Sequence, residues 1–146
     1  MSSRSNFIDE DHELSKKLME FYRLNPYGDR RYKGVTKVLG LTKPEEDVKF
    51  LEEWKARVGE EEADRIVKES MSIGNSLDMI IEKYMAPGFN YSDYKSESGI
   101  RLFNQMKPVL SKITPIGTQI HMYSDKYEIQ GYLDCVGIYN NTITMI

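Results

Sequence analysis

The sequence predicts an α/β domain that is α+β by segment order: N-terminal helices followed by an antiparallel β-meander. Three observations carry that reading. Apolar residues recur at helical spacing from Leu14 to Ile113, strand-like alternation takes over after Pro115, and Asn140-Asn141 divides the last apolar stretch as a short hairpin turn. A run of helices followed by a run of strands is the pattern of such domains.

Taken in order, residues 1–30 form a polar leader with one short helical pattern at Leu14, Leu18, Phe21 and Tyr22, closed by the turn Asn25-Pro26-Tyr27-Gly28-Asp29. Tyr32 to Leu41 alternates weakly and reads either as a short helix or as an extended segment. Thr42 is placed to cap the next helix, with Pro44 in its first turn and Glu45 three residues on, as a capping box requires. Val48, Leu51, Trp54 and Val58 give that helix an apolar stripe, which predicts core packing for Trp54. Gly59 breaks it, and Glu60, Glu61 and Glu62 suit the positive end of the following helix. Ala63, Ile66, Val67 and Met71 continue a buried face, extended past Gly74 by Leu77, Ile80, Ile81 and Tyr84 until Pro87-Gly88 stops it.

A polar connector from Asn90 to Ser98 leads to a helical pattern through Ile100, Phe103, Met106, Leu110 and Ile113, in which Pro108 predicts a kink or a late start. Strands are expected over Thr118–Tyr123, Glu128–Tyr139 and Thr142–Ile146. The last carries Ile143, Met145 and Ile146 without polar blunting. The expectation is an unfinished sheet edge that further chain, a second copy or a partner chain completes, the alternative being that Thr142 to Ile146 simply closes a small sheet.

With 146 residues, 40% apolar and 29% charged, the chain reads as one soluble domain. No apolar run is long enough for a membrane span, and Met1–Asn6 lacks the apolar segment of a secretory signal. Cys135 is the single cysteine, so no internal disulfide is available, and an intracellular setting is expected. A net charge of -3 argues against a generic nucleic-acid coat protein but not against a nuclease, whose metal site needs carboxylates. Arg30, Arg31, Lys33 and Lys37 form a local basic patch, open to reading as solvated surface or as a phosphate grip.

Asp134 is the sharpest candidate for chemistry, a carboxylate between apolar strand neighbours that shares a face with Tyr132 and Val136. Burial there would require a metal, a cation or hydrogen bonds. Metal or catalytic use, a structural hydrogen bond and a rim position all remain open from spacing. Tyr123, Tyr127 and Tyr132 read as sheet packing or as the lining of a single-strand channel.

Three segments resemble a known family. They are Tyr32-Lys33-Gly34-Val35-Thr36-Lys37-Val38-Leu39, then Leu51-Glu52-Glu53-Trp54-Lys55-Ala56-Arg57 through Gly74-Asn75-Ser76-Leu77-Asp78, and Gly131-Tyr132-Leu133-Asp134-Cys135-Val136. In order and spacing they are similar to the RecB-like and Cas4-like exonucleases of the PD-(D/E)XK nuclease superfamily, of the phage and mitochondrial genome maintenance type. The resemblance spans residues 31–146 and implies the N-terminal portion of such a domain, an incomplete restriction-endonuclease-like core. It implies a Mg²⁺- or Mn²⁺-dependent exonuclease acting on DNA, with single strands preferred. Asp134 would be the catalytic carboxylate and metal ligand, Asp78 a second ligand where the family has histidine, and Gln119 the neutral counterpart of a further acid. Arg30, Arg31, Thr36 and Lys37 would contact DNA phosphates. The family's next motif, an acid, one residue and then lysine, would follow Ile146, so this chain by itself is expected to be inactive. The alternative is a non-catalytic module that binds single-stranded DNA or a protein partner.

Overall fold

A computed structural model describes residues 7–90, 92 and 94–146. The elements are α1 (Glu13–Leu24), β1 (Lys33–Gly34), α2 (Val35–Leu41), α3 (Glu45–Val58), α4 (Glu60–Met85), α5 (Glu97–Leu110), β2 (Thr114–Ser124), β3 (Ile129–Tyr139) and β4 (Thr142–Met145). They make an α+β fold, helices first, with a four-stranded mixed sheet at the C-terminal end. Of the connector expected from Asn90 to Ser98, residues 91 and 93 lie outside the described residues, as do residues 1–6 of the leader.

The sheet is built on β3. Strand β2 pairs with it antiparallel along almost its whole length, from Thr114↔Ile138 to Ser124↔Ile129. The other edge of β3 is shared. β1 joins one end in parallel, Lys33 opposite Ile129, and β4 joins the other end antiparallel, Val136 opposite Met145. The pairing of β4 runs one residue further, through reciprocal bonds between Cys135 and Ile146 of 2.8 and 3.0 Å. β2 and β4 each pair antiparallel with β3, but the parallel strand β1 makes the sheet mixed where an antiparallel meander was expected. The two readings left open for Tyr32 to Leu41 both occur, since two residues pair with β3 before the chain turns into α2.

The hairpin between β3 and β4 uses Asn140 and Asn141 at φ 50° and 59°, the doubly left-handed turn whose twist matches that of paired strands. Gly137 leaves no room for a side chain. A Cβ there would lie 2.7 Å from Ile113 Cγ2 and 2.9 Å from the Thr114 carbonyl oxygen, so the close crossing of β3 by the start of β2 depends on it.

The core lies between α4, α5 and the loop after α4. Ile80, Met85, Phe103 and Leu110 are buried, and Leu77, Tyr84, Phe89 and Ile113 pack against them. Gly99 lets the two helices approach, its Cα facing Ser76 and Ile80 closely enough that a Cβ would meet them at 3.1 and 3.3 Å. α5 starts at Glu97, capped by the Ser96 hydroxyl, which accepts from the Gly99 N–H. Pro108 falls in the last turn of α5, so the late start expected of it does not occur.

Two expectations fail on α3. Thr42 does not cap it: Thr42 ends α2, and its hydroxyl donates back to the Val38 carbonyl at 3.1 Å. Pro44 occupies the cap position without a side-chain bond. The stripe along α3 is also not a core face, because the helix has no buried residue; Val48 and Leu51 are exposed and Trp54 is half-buried. The periodicity was sound as a helix signal. The helix meets α4. Phe50, Leu39 and Leu41 add to an apolar surface spread over α2 and α3.

The leader is tied to the sheet. Phe7 and Asp9 bond to the outer edge of β2 through Thr118 and Ile116, and α1 follows, its start capped by His12 Nδ1 accepting from the Leu14 N–H. No helix of the described residues is long and apolar enough to cross a membrane.

Candidate nucleic-acid interface

Alternation along β3 puts Gln130, Tyr132 and Asp134 on one face, opposite Tyr123, His121 and Gln119 of β2. This face is polar and aromatic where a core face would be aliphatic. His121 Nε2 and Gln130 Oε1 are 2.8 Å apart, and the Gln130 amide donates to the Tyr32 carbonyl at 3.0 Å. The Tyr132 ring lies 5.0 Å from His121 at 35° and is 65% exposed. Tyr27 closes the other side of the imidazole, edge-on at 5.0 Å, and meets Tyr123 and Tyr32 at 5.4 and 5.8 Å. A cavity of about 320 Å³ opens beside this cluster, lined in part by Tyr22, Tyr27, Thr118 and His121.

Asp134 is exposed, so the penalty of burying a carboxylate does not arise. One of its oxygens accepts from the Gln119 amide at 3.3 Å. Gln119 itself is 2% exposed and has φ 50°, a left-handed conformation unusual for a strand residue without a glycine's freedom. That backbone turn interrupts the β2 ladder and accompanies the contact to Asp134. The hydrogen bond weighed for Asp134 is thus present, on an exposed residue. Cys135, its neighbour, is buried, and burial first and the Asp134 charge second push its thiol up, away from nucleophilic use.

The other expected ligand, Asp78, is half-buried on α4. Glu82, one turn further, escaped sequence reading because it sits in an ordinary amphipathic pattern; it is 9% exposed and its Oε1 has no hydrogen-bond partner among the described residues. Hard divalent cations take six or more oxygens. Among the described residues no group of three or more His, Cys, Asp or Glu converges to hold one. Asp134 has the chemistry of one ligand, and the described chain does not complete the set.

The basic residues divide. Arg31, Thr36 and Lys37 are exposed, the last two in the first turn of α2. Arg30 is engaged: its Nε and Nη2 donate to the Asp125 carboxylate at 2.7 and 3.4 Å, and Nη1 donates to the carbonyls of Pro26 and Tyr27 at 2.7 and 2.9 Å. Its guanidinium lies 5.1 Å from the centre of the Tyr123 ring. The Tyr32 hydroxyl adds a 2.6 Å bond to the same carboxylate, and Tyr123 donates to the Asn25 carbonyl. Arg30 therefore latches the loop before β1 to the turn between β2 and β3.

The latch has a defined pH range. Bonds from Arg30 and then Tyr32 hold the Asp125 carboxyl below the ordinary aspartate range, so the pair persists above that range and is lost as pH falls through the lowered value. The Tyr32 hydroxyl is pushed up, chiefly by its bond to Asp125, so that bond persists below the ordinary tyrosine range and is lost as pH rises through the raised value. The latch is complete from about pH 4 to about pH 10. Solvent exchange of the Arg30 Nε proton, corrected for its intrinsic pH dependence, should show constant protection across that range and lose it below; loss centred near neutrality would contradict the assignment.

Comparison with known proteins returns no match: no family model fits the chain, and neither a curated protein nor a solved structure matches it.

Proposed function

We propose that this chain is the N-terminal part of a metal-dependent DNA exonuclease of the PD-(D/E)XK type, with an incomplete restriction-endonuclease-like core. The substrate is single-stranded DNA, which lies on the sheet face of Tyr132, His121 and Tyr123. The observation that carries this reading is an exposed carboxylate, Asp134, two residues along β3 from an exposed tyrosine whose ring lies tilted 5.0 Å from that of a histidine. Aromatic faces hold unpaired bases without regard to sequence. Arg31, Thr36 and Lys37 supply donors for phosphates. A bound Mg²⁺ or Mn²⁺ would polarise the scissile phosphate. Asp134 offers it a hard oxygen, with Asp78 as the second acid carried by the resemblance.

By the resemblance, the acid-x-Lys motif that completes the metal site is not within residues 1–146, which alone should not cleave a labelled oligonucleotide with either metal. Mn²⁺ should still broaden the NMR signals of Asp134 and Gln119 at millimolar concentration, and Asp134→Asn should abolish that broadening. Metal-dependent cleavage lost in Asp134→Ala would contradict the inactivity. No broadening at Asp134 would remove the metal from the account. The second reading, a non-catalytic module for single-stranded DNA or a protein partner, would then stand, because the aromatic face needs no cation. Exposed Ile143 and Met145 on β4 favour self-association or a second chain as an additional partner on that edge.

A further inference from the structure

We propose that Arg30 is a preformed phosphate subsite and that Asp125 is its built-in plug, a carboxylate holding the position a nucleic-acid phosphate would take. This rests on the reading of the sheet face as a single-strand track.

Three features of Arg30 are those of an oxyanion site rather than of a casual surface pair. Its Nη1 is fixed by two backbone carbonyls, at Pro26 and Tyr27, which do not depend on Asp125. Its plane rests against the Tyr123 ring. Its remaining edge, Nε and Nη2, presents a fork to both oxygens of one carboxylate. A guanidinium fork matches carboxylate and phosphate oxygens alike, and fixing it beforehand reduces the entropy lost on binding. Tyr32 contributes a hydroxyl to the same anion position.

The occupant differs from the site in its anchoring. Asp125 sits in the turn between β2 and β3, its side chain 59% exposed against 33% for Arg30. Its carboxylate makes bonds only to Arg30 and Tyr32 among the described residues. A solvent-exposed ion pair is weak, so a phosphate on a strand already held by the neighbouring aromatics displaces it at small cost. The platform and the fork adjoin, because the Tyr123 ring lies under Arg30 and 5.4 Å from that of Tyr27. Without the displacement, the Arg30 charge is neutralised by Asp125. With it, a cation appears beside the bases.

The test is a double-mutant cycle on binding of a twelve-residue oligothymidylate at low salt. Asp125→Asn should tighten binding about threefold to fivefold, the worth of an exposed ion pair. In an Arg30→Gln background the same change should give no gain. A gain that persists without Arg30 would be general charge relief and would overturn the plug, as would no gain at all. Since Arg30→Gln also removes the two carbonyl bonds, Asp125→Ser serves as the second variant. It removes the carboxylate and leaves Arg30, its carbonyl bonds and the Tyr32 hydroxyl in place, so it should tighten binding about as much as Asp125→Asn; an unchanged or weaker affinity overturns the proposal.

Inorganic phosphate separates this proposal from the reading it rests on. Followed at the Arg30 Nε proton, its titration should have a lower midpoint in Asp125→Asn than in the native chain. Equal midpoints sink the plug. A lowered midpoint with no oligonucleotide binding in any variant keeps the plug and sinks the nucleic-acid track.

Discussion

Phe103→Ala should lower the unfolding free energy by about 3–5 kcal/mol, the range for truncating a buried aromatic without full collapse of the cavity. Phe103 has no exposed surface and sits where α4 meets α5, its ring 5.1 Å from Tyr84 and 5.5 Å from Phe89. Ile80, Met85 and Leu110 complete that cluster. The loss is a large share of the roughly 5–15 kcal/mol that stabilises an ordinary domain. Urea unfolding followed by circular dichroism measures it as a lower midpoint at unchanged slope. Phe50→Ala is the contrast: the same residue type, 70% exposed on α3, should change stability by no more than about 0.5 kcal/mol. Equal losses at the two positions would mean that the helix pair is not the core.

The two phenylalanines also show what the sequence makes legible. Both lie in strongly helical segments, and helical periodicity finds α3, α4 and α5 without difficulty. It does not say which helix face meets another element. Ile80 and Phe103 are buried because Gly99 brings two long helices together, whereas the stripe of α3 has the same spacing and the helix has no buried residue. The capping signal at Thr42 failed for a related reason. A short polar residue between two helices can end the first as readily as begin the second, and the turn at Pro44 decided for the former. The antiparallel strands were legible from alternation and from Asn140-Asn141. The two-residue β1 was not, since so short a strand has no period and exists only through its partner on β3.

At the candidate site the residue types were legible and their alliances were not. Asp134 stands out in sequence as an acid among apolar neighbours, and the structure places it in the open, bonded to Gln119. Gln119 was identified as a position facing the site, but its left-handed backbone comes from a distortion of β2 that no composition signal marks. Arg30 belongs to a basic patch whose local charge leaves solvated surface and phosphate grip both open. Its partner Asp125 is 95 residues away, and only the fold brings the two together. His121 and Tyr27 belong to one aromatic cluster for the same reason. Tyr127, expected alongside Tyr123 and Tyr132, is instead exposed in the turn after β2, with Lys126 over its ring.

The central claim is that the Tyr132 face binds single-stranded nucleic acid, and Tyr132→Ala probes it without disturbing the fold, because most of that ring is already in solvent. Stacking of a base on an aromatic side chain contributes about 1–3 kcal/mol, so the affinity for oligothymidylate should fall by about fivefold to a hundredfold. Binding should weaken further as salt is raised, since phosphate contacts release counterions. The decisive measurement is the dissociation constant of the native chain and of Tyr132→Ala, determined side by side at low salt by fluorescence anisotropy. The native chain should bind in a salt-sensitive way, and the variant should show a clear loss. Equal affinities, or no binding by the native chain, would contradict it.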